Sequence, residues 1–156
     1  MSIRLWTRIA VLGCALALSG CASFNRDWSQ ASHQAAVRRS DPFGGAWDGQ
    51  WTSEKHRLPS GDAAGGRLRC LFTRIDDRHY QARFHANWLF FATGYEVVFE
   101  TTKRGKVLTF QGEQNLGAIF GGIYRYQGRV TPSHFSATFA SRFDHGRFEM
   151  SRPAKR

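Results

Sequence analysis

The segment Arg78–Ala86, RHYQARFHA, decides the fold class. Its apolar side chains stand at every second position, at Tyr80, Ala82, Phe84 and Ala86, and the polar side chains of Gln81, Arg83 and His85 stand between them. A period of two is typical of a β-strand that buries one face. The segment therefore predicts a strand whose aromatic face lies in a core and whose other face, with His85, is exposed to solvent.

The same alternation recurs along the rest of the chain and predicts about seven further strands. They cover Ala46–Ser53, Arg67–Ile75, Gly94–Thr102, Lys106–Gln111, Ala118–Gly128, Ser133–Phe143 and His145–Arg152. Turn-forming residues fill most of the short gaps, as at Lys103-Arg104-Gly105. Connections this short force antiparallel hairpins, because a parallel crossover needs a dozen residues or more. The longest gap, Glu54–Gly66, is polar and glycine-rich and predicts a mobile loop.

This pattern predicts an all-β domain over residues 42–156, an antiparallel up-and-down barrel of about eight strands. Closure into a barrel pairs the strand edges that an open sheet would leave exposed. The bulky–small–bulky spacing of Tyr80-Ala82-Phe84 and Phe135-Ala137-Phe139 fits the interior of a small barrel. A two-sheet sandwich has the same alternation and remains the alternative.

A short motif at the start of the first strand resembles a known barrel class. Gly45-Ala46-Trp47 is similar to the Gly-x-Trp that opens the first strand of lipocalins and avidin-type barrels. The resemblance implies a lipocalin-like barrel in which Trp47 closes the bottom. The wider pattern, from Trp47-x-Gly-x-Trp51 to Asp144-x-Gly-x-Phe148, resembles uncharacterised bacterial lipoproteins and implies no activity.

The amino-terminal residues have the pattern of an export signal. Arg4 and Arg8 precede the apolar segment Ile9–Leu18. This segment is uncharged and shorter than the ~20 residues that a membrane-spanning helix needs. Leu18-Ser19-Gly20-Cys21 then resembles the bacterial lipobox. The resemblance implies a signal peptide over residues 1–20 and a diacylglycerol thioether on Cys21. An ordinary cleaved signal with a chance cysteine, or a short membrane anchor, is the alternative.

Location and charge follow from that signal. Ala22 after the cysteine implies transfer to the periplasmic face of the outer membrane, where the lipid anchors the protein. The chain carries 22 basic and 12 acidic residues, a formal charge of +10, and loss of Arg4 and Arg8 lowers it to +8. Residues 21–41 are polar and predict a lipidated flexible tether, with a weak helix around Ser29–Arg39 as the alternative. Cys70 remains without a partner cysteine, which predicts a buried, inert thiol.

No catalytic or metal-binding pattern stands out. The chain has no nucleophile elbow, zinc-protease or phosphate-loop motif, so we expect no enzymatic activity, no cofactor and no metal. His79 and His85 share a face without a third ligand on the strand. Glu96 and Glu100 share a face too, and we interpret them as solvated.

The aromatic face of the barrel is the candidate ligand site. Its predicted residues are Tyr80, Ala82, Phe84, Tyr95, Tyr124, Tyr126, Phe135 and Phe139 inside the barrel and Trp88 at its rim. Residual space is expected near Ala82, Gly122 and Ala137. Trp88 opens the apolar run Trp88–Ala92, which fits a strand buried on both faces, a plug in one barrel end, or an apolar rim at a ligand mouth or membrane.

Two functions remain open from the sequence. The first is a non-catalytic, lipid-anchored lipoprotein of the cell envelope that binds a small apolar or amphiphilic ligand in the barrel or at its mouth. The alternative is a structural or interaction protein with a filled barrel and an arginine-rich surface for partners. Since 18 of the 22 basic residues are arginine, anionic lipid or other envelope components are the expected partners, and nucleic acid is not. An inhibitor of a host lysozyme is disfavoured, because two basic proteins repel each other.

Overall fold

A computed structural model of the protein describes residues 23–34, 40–88 and 91–154, with the backbone alone for Trp88, Phe91 and Phe120. The predicted signal peptide and Cys21 lie outside these residues, as do Leu89 and Phe90 of the apolar run.

The described residues form eight strands, one helix and one short turn of 3-10 helix. The strands are β1 (Gly45–Arg57), β2 (Ala63–Arg74), β3 (His79–Trp88), β4 (Phe91–Arg104), β5 (Val107–Asn115), β6 (Ile123–Val130), β7 (His134–Ala140) and β8 (His145–Ser151). Helix α1 covers residues 23–33, and the 3-10 turn covers Ala118–Phe120. Each strand pairs antiparallel with the next, and β8 returns to pair with β1. The prediction of an all-β up-and-down barrel is confirmed, and the sandwich is excluded.

The strands are strongly tilted around the barrel axis. When the register of each strand pair is carried around the barrel from Gly45, it returns to β1 about ten residues nearer the carboxyl end of that strand. For eight strands, such a stagger gives an interior just wide enough for side chains or one small ligand. A line drawn across the paired residues from β1 through β2 to β3 therefore moves towards the end of the barrel where β1 finishes.

The barrel has one closed end, which is the end where β1 begins. Phe43, in the segment before β1, is buried there beneath Trp47, whose indole Nε1 donates a hydrogen bond to the Phe43 carbonyl oxygen at 3.1 Å. The prediction that Trp47 lies at the bottom of the barrel agrees with this packing, because its ring has no exposed surface. The opposite end, where β1 finishes, is called the open end below.

Glycines let the strands curve tightly enough to close. A Cβ at Gly49 would lie 2.0 Å from the carbonyl oxygen of Glu149, and one at Gly146 would lie 2.0 Å from that of Thr52. Both positions belong to the β1–β8 pair that completes the barrel. These glycines are therefore required by the close approach of neighbouring backbones.

Several strand boundaries differ from the sequence prediction, and the differences at two segments have a clear physical reason. Glu54–Gly66 is not a loop, because β1 continues to Arg57 and β2 begins at Ala63, which leaves residues 58–62 as the turn. Outward positions and inward positions are both exposed here, so no alternation marks the strands. The predicted strand Ala118–Gly128 begins only at Ile123, because Gly121 and Gly122 have φ angles of 100° and 74° and turn the chain.

The structure also differs from a flexible tether over residues 23–33, which are helical. Phe24, Trp28 and Ala31 share one face of α1 and pack against Ala46 and Leu71 on the outside of the barrel. These three side chains follow the spacing i, i+4 and i+7 of an amphipathic helix. Apolar burial therefore holds this part of the segment against the wall of the barrel.

His85 is buried, which corrects the prediction that it is exposed to solvent. Its ring stacks on Phe24 at a centroid distance of 5.3 Å, so α1 covers the outward face of β3 at this point. Glu96 and Glu100, by contrast, lie exposed on the outer face, as predicted. The strand pattern alone gives the direction of His85 correctly but cannot show that a helix lies over it.

Candidate functional site

The aromatic residues predicted to bind a ligand lie inside the barrel, but not at one level. Tyr80 and Phe135 lie at the closed end, and Ala82 and Phe84 lie between the two ends. Tyr95, Tyr124, Tyr126 and Phe139 lie towards the open end. Trp88 is the last residue of β3, also at the open end, and its side chain lies outside the described part of the chain.

The closed end is filled with packed rings. Phe72 stacks on Tyr80 at 4.6 Å and meets Phe135 edge-on at 5.5 Å. The Tyr80 hydroxyl donates a hydrogen bond to Asp41 Oδ1 at 3.1 Å. Burial and the adjacent Asp41 carboxylate raise the pKa of Tyr80. Tyr80 therefore has a structural partner for its only polar group.

The open end carries a series of nearly parallel rings. Phe84 stacks on Tyr95 at 5.1 Å, Tyr95 on Tyr126 at 6.4 Å, and Tyr126 on Tyr124 at 6.2 Å. Tyr95 and Tyr124 are only half-buried, whereas Phe84 and Tyr126 lie deeper. This series, Phe84–Tyr95–Tyr126–Tyr124, is called the tyrosine stack below. The stack offers flat apolar ring faces, and two of its rings, Tyr95 and Tyr124, reach solvent.

Trp51 is an open-end residue that the sequence prediction of the site omits. Its ring is half-buried, lies 6.5 Å from Phe139, and its Nε1 donates a hydrogen bond to the carbonyl oxygen of Asn87 at 3.0 Å. The signal was present in the sequence, because Trp51 has the same inward parity as Trp47. Placing it at the open end required the contacts with Asn87 and Phe139, which are distant in the chain.

The hydroxyl of Tyr126 forms no hydrogen bond of full geometry with a described residue, although the neighbouring Tyr95 side chain interacts with it closely enough to affect its pKa. The residue is only 2% exposed, and the oxygen is buried. Desolvation raises the pKa of Tyr126, and burial likewise raises the pKa of Tyr95 well above its usual value. Both hydroxyls are therefore neutral donors and acceptors. A buried polar group without a partner costs about 1–3 kcal/mol and calls for an explanation.

The wall of the barrel is incomplete beside Tyr126. β4 begins at Phe91, yet its pairing with β5 covers only Glu100–Arg104. The upper part of β5 pairs with β6 alone, as at Gln114 with Tyr124. Strands β4 and β5 therefore separate on the open-end side of Gly112, and the separation extends to the open end.

A solvent-open concavity of about 830 Å³ lies over the outer face of β4–β8. Its lining includes outward polar residues such as Glu100, Glu113 and Arg125. It also includes Gly112 and Tyr126, at the point where β4 and β5 separate. The concavity therefore lies outside the barrel but borders the tyrosine stack.

One serine, histidine and aspartate group lies near the open end without the geometry of a catalytic triad. Ser53 Oγ donates a hydrogen bond to Asp144 Oδ1 at 2.6 Å and accepts one from the backbone N–H of His56 at 2.8 Å. The His56 ring instead contacts the carbonyl oxygen of Phe143 at 3.1 Å. The same ring lies 4.0 Å from Asp144 Oδ1, and no described imidazole forms a hydrogen bond with Ser53 Oγ, so this geometry stabilises the turn and is not that of an activated serine.

About half of the described arginines on the barrel have carboxylate partners within the chain. Arg67 pairs with Asp48 at 2.8 Å, Arg83 with Asp27 at 2.9 Å, and Arg78 with Glu100 at 2.9 Å. Arg125 and Arg147 are paired as well, with Glu113 and Glu54. Such pairs on a barrel wall leave fewer arginines available for partners than the number of arginines in the chain suggests.

Within the described ranges, no cluster of three His, Cys, Asp or Glu side chains is arranged to hold a metal ion. In the same part of the chain, no helix has the length and apolar character needed to cross a bilayer. Fold and site together define a small, closed, eight-stranded antiparallel barrel with one filled end and one aromatic open end, an architecture compatible with a lipocalin-like barrel. No protein-family model, curated protein or solved structure matches the chain.

Proposed function

We propose that the protein is a non-catalytic, lipid-anchored lipoprotein of the bacterial cell envelope whose barrel binds a small amphiphilic ligand at its open end. The buried hydroxyl of Tyr126, which forms no full hydrogen bond with a described residue and has only the Tyr95 side chain near it, is the observation that carries this proposal. A ligand group would satisfy it and remove the cost of its desolvation.

The chemistry of the site favours a flat or slender apolar body with one polar group. The half-buried rings of Tyr95 and Tyr124 supply faces for the apolar body, and the Tyr126 hydroxyl between them supplies the polar contact. Because a neutral hydroxyl both donates and accepts, it suits an alcohol, an amide or a carboxyl group. Because the closed end is filled with side chains, the ligand site is limited to the half of the barrel at the open end.

The envelope location rests on Leu18-Ser19-Gly20-Cys21 and the apolar segment before it. Cys21→Ser would remove the only residue there that can form the thioether. The wild-type chain is expected to incorporate labelled palmitate and to stay with the membrane fraction, whereas Cys21→Ser loses the label. Equal labelling of both chains would refute lipidation at Cys21.

The alternative is an interaction protein whose barrel is filled and whose outer surface binds partners. The packed rings of the closed end support it. The internal ion pairs of Arg67, Arg78 and Arg83 weaken its arginine-rich version. The two functions differ in whether the open end takes up a ligand.

The binding test uses two matched Tyr→Phe substitutions in the full-length protein, extracted in detergent. The probe is anilinonaphthalene sulfonate, an aromatic amphiphile, and the readout is energy transfer from tryptophan to the bound dye. Tyr126→Phe is expected to weaken binding by about tenfold, the effect of one lost hydrogen bond in a buried site. Tyr80→Phe removes the hydroxyl that already has Asp41 as partner and should bind the dye like wild type.

Native ligand is sought in the same preparations by organic extraction and mass spectrometry. A small molecule recovered from wild type and Tyr80→Phe, but reduced in Tyr126→Phe, is the expected result. Equal affinity of all three proteins for the dye, with no extracted molecule, would favour the filled barrel and overturn ligand binding at the open end.

A further inference from the structure

The open end carries exposed apolar side chains that the barrel does not use. Ile119 is 90% exposed in the β5–β6 connection, and Ile123, which follows it at the start of β6, is 44% exposed. Phe143 is 47% exposed in the β7–β8 turn. The two connections are close together, since a Cβ added at Gly121 would lie 3.3 Å from the Phe143 ring. Together Ile119, Ile123 and Phe143 form the apolar tip.

Basic side chains surround the apolar tip. Lys55 and Arg57, at the end of β1, are exposed and form no ion pair with a described carboxylate. Arg142 is exposed as well, and its guanidinium lies 5.8 Å from the centroid of the Phe143 ring. Apolar side chains bordered by lysine and arginine fit the interface of a membrane with anionic headgroups.

The path of α1 gives the direction of the lipid anchor. Phe24, in the first described turn, stacks on His85 of β3, whereas the indole of Trp28, one turn later, donates a hydrogen bond to the Trp47 carbonyl oxygen of β1 at 3.3 Å. Because the paired rows climb towards the open end from β1 to β3, the amino-terminal end of α1 is the one nearer the open end.

The anchor and the apolar tip therefore point the same way. Cys21 precedes the first described residue, Ser23, by two positions, and a chain of this length reaches at most about 8 Å. A lipid on Cys21 would place the membrane close to this end of α1. The ion pair between Asp27 and Arg83 and the burial of Phe24 keep the helix on the barrel.

From these relationships we infer that the open end of the barrel is a membrane-docking surface for an anionic phospholipid bilayer, with Ile119 and Phe143 inserted among the lipids and Arg142 at the headgroups. The inference rests on the lipid anchor of the proposed function. It adds an orientation in which the tyrosine stack opens towards the bilayer, so that an amphiphilic ligand exchanges directly with the membrane.

The test measures the depth of two single cysteines, each labelled with an environment-sensitive dye in the full-length lipidated protein. Ile119→Cys places the dye at the apolar tip, and Ile75→Cys, 55% exposed in the β2–β3 turn, places it at the closed end as the matched control. Buried Cys70 is not expected to take the label. Vesicles contain phosphatidylglycerol and phosphatidylcholine, with or without brominated acyl chains that quench the dye.

We expect the dye at Ile119→Cys to shift to the blue and to lose most of its emission to brominated lipid, and the dye at Ile75→Cys to change in neither respect. Arg142→Glu should reduce the quenching, and replacing phosphatidylglycerol with phosphatidylcholine should do the same.

The outcomes separate this inference from the proposed function. Vesicle flotation of the protein without quenching at Ile119→Cys would leave the anchor standing and overturn the orientation. Absence of flotation would overturn both. A dye protected from quencher in a protein that elutes as a dimer would mean that a second copy covers the apolar tip, which also overturns membrane docking.

Discussion

The guanidinium of Arg152 lies over the indole ring of Trp47, 3.7 Å from its centroid. The same side chain donates hydrogen bonds to the carbonyl oxygens of Pro42 at 2.7 Å, Gly44 at 2.8 Å and Ala46 at 3.2 Å. One residue after β8 therefore ties down the segment that leads into β1. These contacts of Arg152 close the barrel at its closed end, where β1 begins and β8 finishes.

Arg152→Lys should destabilise the barrel by about 1–3 kcal/mol, because an ammonium cannot reproduce the planar stack or the forked hydrogen bonds. The urea midpoint of unfolding, followed by tryptophan fluorescence, measures the loss. Arg142→Lys is the control, since Arg142 lies over the exposed ring of Phe143. Equal midpoints for the two variants would contradict a structural role for Arg152.

Substitution by alanine should have opposite effects on stability at two glycines that lie in strands. Gly49→Ala would place a Cβ 2.0 Å from the carbonyl oxygen of Glu149, so we expect severe destabilisation or failure to fold. At Gly94 the nearest atom to a Cβ is the Phe84 carbonyl oxygen at 3.6 Å, and Gly94→Ala should be neutral or stabilise by up to about 1 kcal/mol. Urea unfolding of both variants is the measurement. A folded Gly49→Ala variant with wild-type stability would show that the β1–β8 pair tolerates wider spacing.

The strand pattern could be predicted because burial alternates wherever one face meets the core. Tyr80, Ala82 and Phe84 all point inwards, and so the fold class follows from their spacing. The pattern does not extend to Lys55 and Arg57, because side chains on both faces of β1 are exposed near the open end. Strand length there is set by pairing with β2, as at Arg57 with Ala63, and a local sequence window does not contain that information.

The candidate site could be predicted in its composition but not in its depth. Parity places both Tyr80 and Tyr126 inside the barrel. Only the three-dimensional structure shows that Tyr80 donates a hydrogen bond to Asp41, whereas the Tyr126 hydroxyl forms no full hydrogen bond with any residue that the structure describes. The helix over His85 could have been found from Phe24, Trp28 and Ala31 at helical spacing, but its docking place depends on contacts far apart in the chain.

Cys70 should be unreactive in the folded protein. It is fully buried, and burial raises the pKa of its thiol well above the usual value, so the reactive thiolate is scarce. Cys14→Ser and Cys21→Ser together leave Cys70 as the only thiol. A thiol-specific chromogenic reagent should then react only on unfolding in urea, whereas an added Ile119→Cys should react at once. Rapid native reaction at Cys70 would contradict a tightly packed interior.

Docking of α1 should weaken at acidic pH. Burial beneath Phe24, and then the charge of Arg69, lower the pKa of His85. The docked state therefore favours neutral His85. The contribution of neutral His85 to docking is fully present above the ordinary histidine pKa of about 6.5 and decreases as the pH falls below it towards the lowered pKa. Arg83 lies on the same face and also disfavours the protonated ring, while Asp27 of α1 pairs with Arg83.

Amide hydrogen exchange in residues 23–33, compared at about pH 7.5 and pH 5 after correction for the intrinsic rate, measures this effect. Exchange should be faster at pH 5 in wild type. His85→Gln keeps a neutral side chain at both values and should show little difference. A wild-type helix equally protected at both pH values would rule out His85 as the titrating group.

Loss of the Tyr126 hydroxyl should stabilise the ligand-free protein. Tyr126→Phe removes a buried polar group that forms no full hydrogen bond with a described residue, and this is expected to raise the free energy of unfolding by about 1 kcal/mol. Tyr80→Phe removes a hydroxyl bonded to Asp41 and should lower it by about the same amount, since the carboxylate loses a donor. Urea unfolding of extracted, ligand-free protein gives both values. The same sign for both would mean that Tyr126 already has a partner, such as a bound water, whereas opposite signs would mean that the barrel keeps a destabilising hydroxyl, as expected of a group that serves binding.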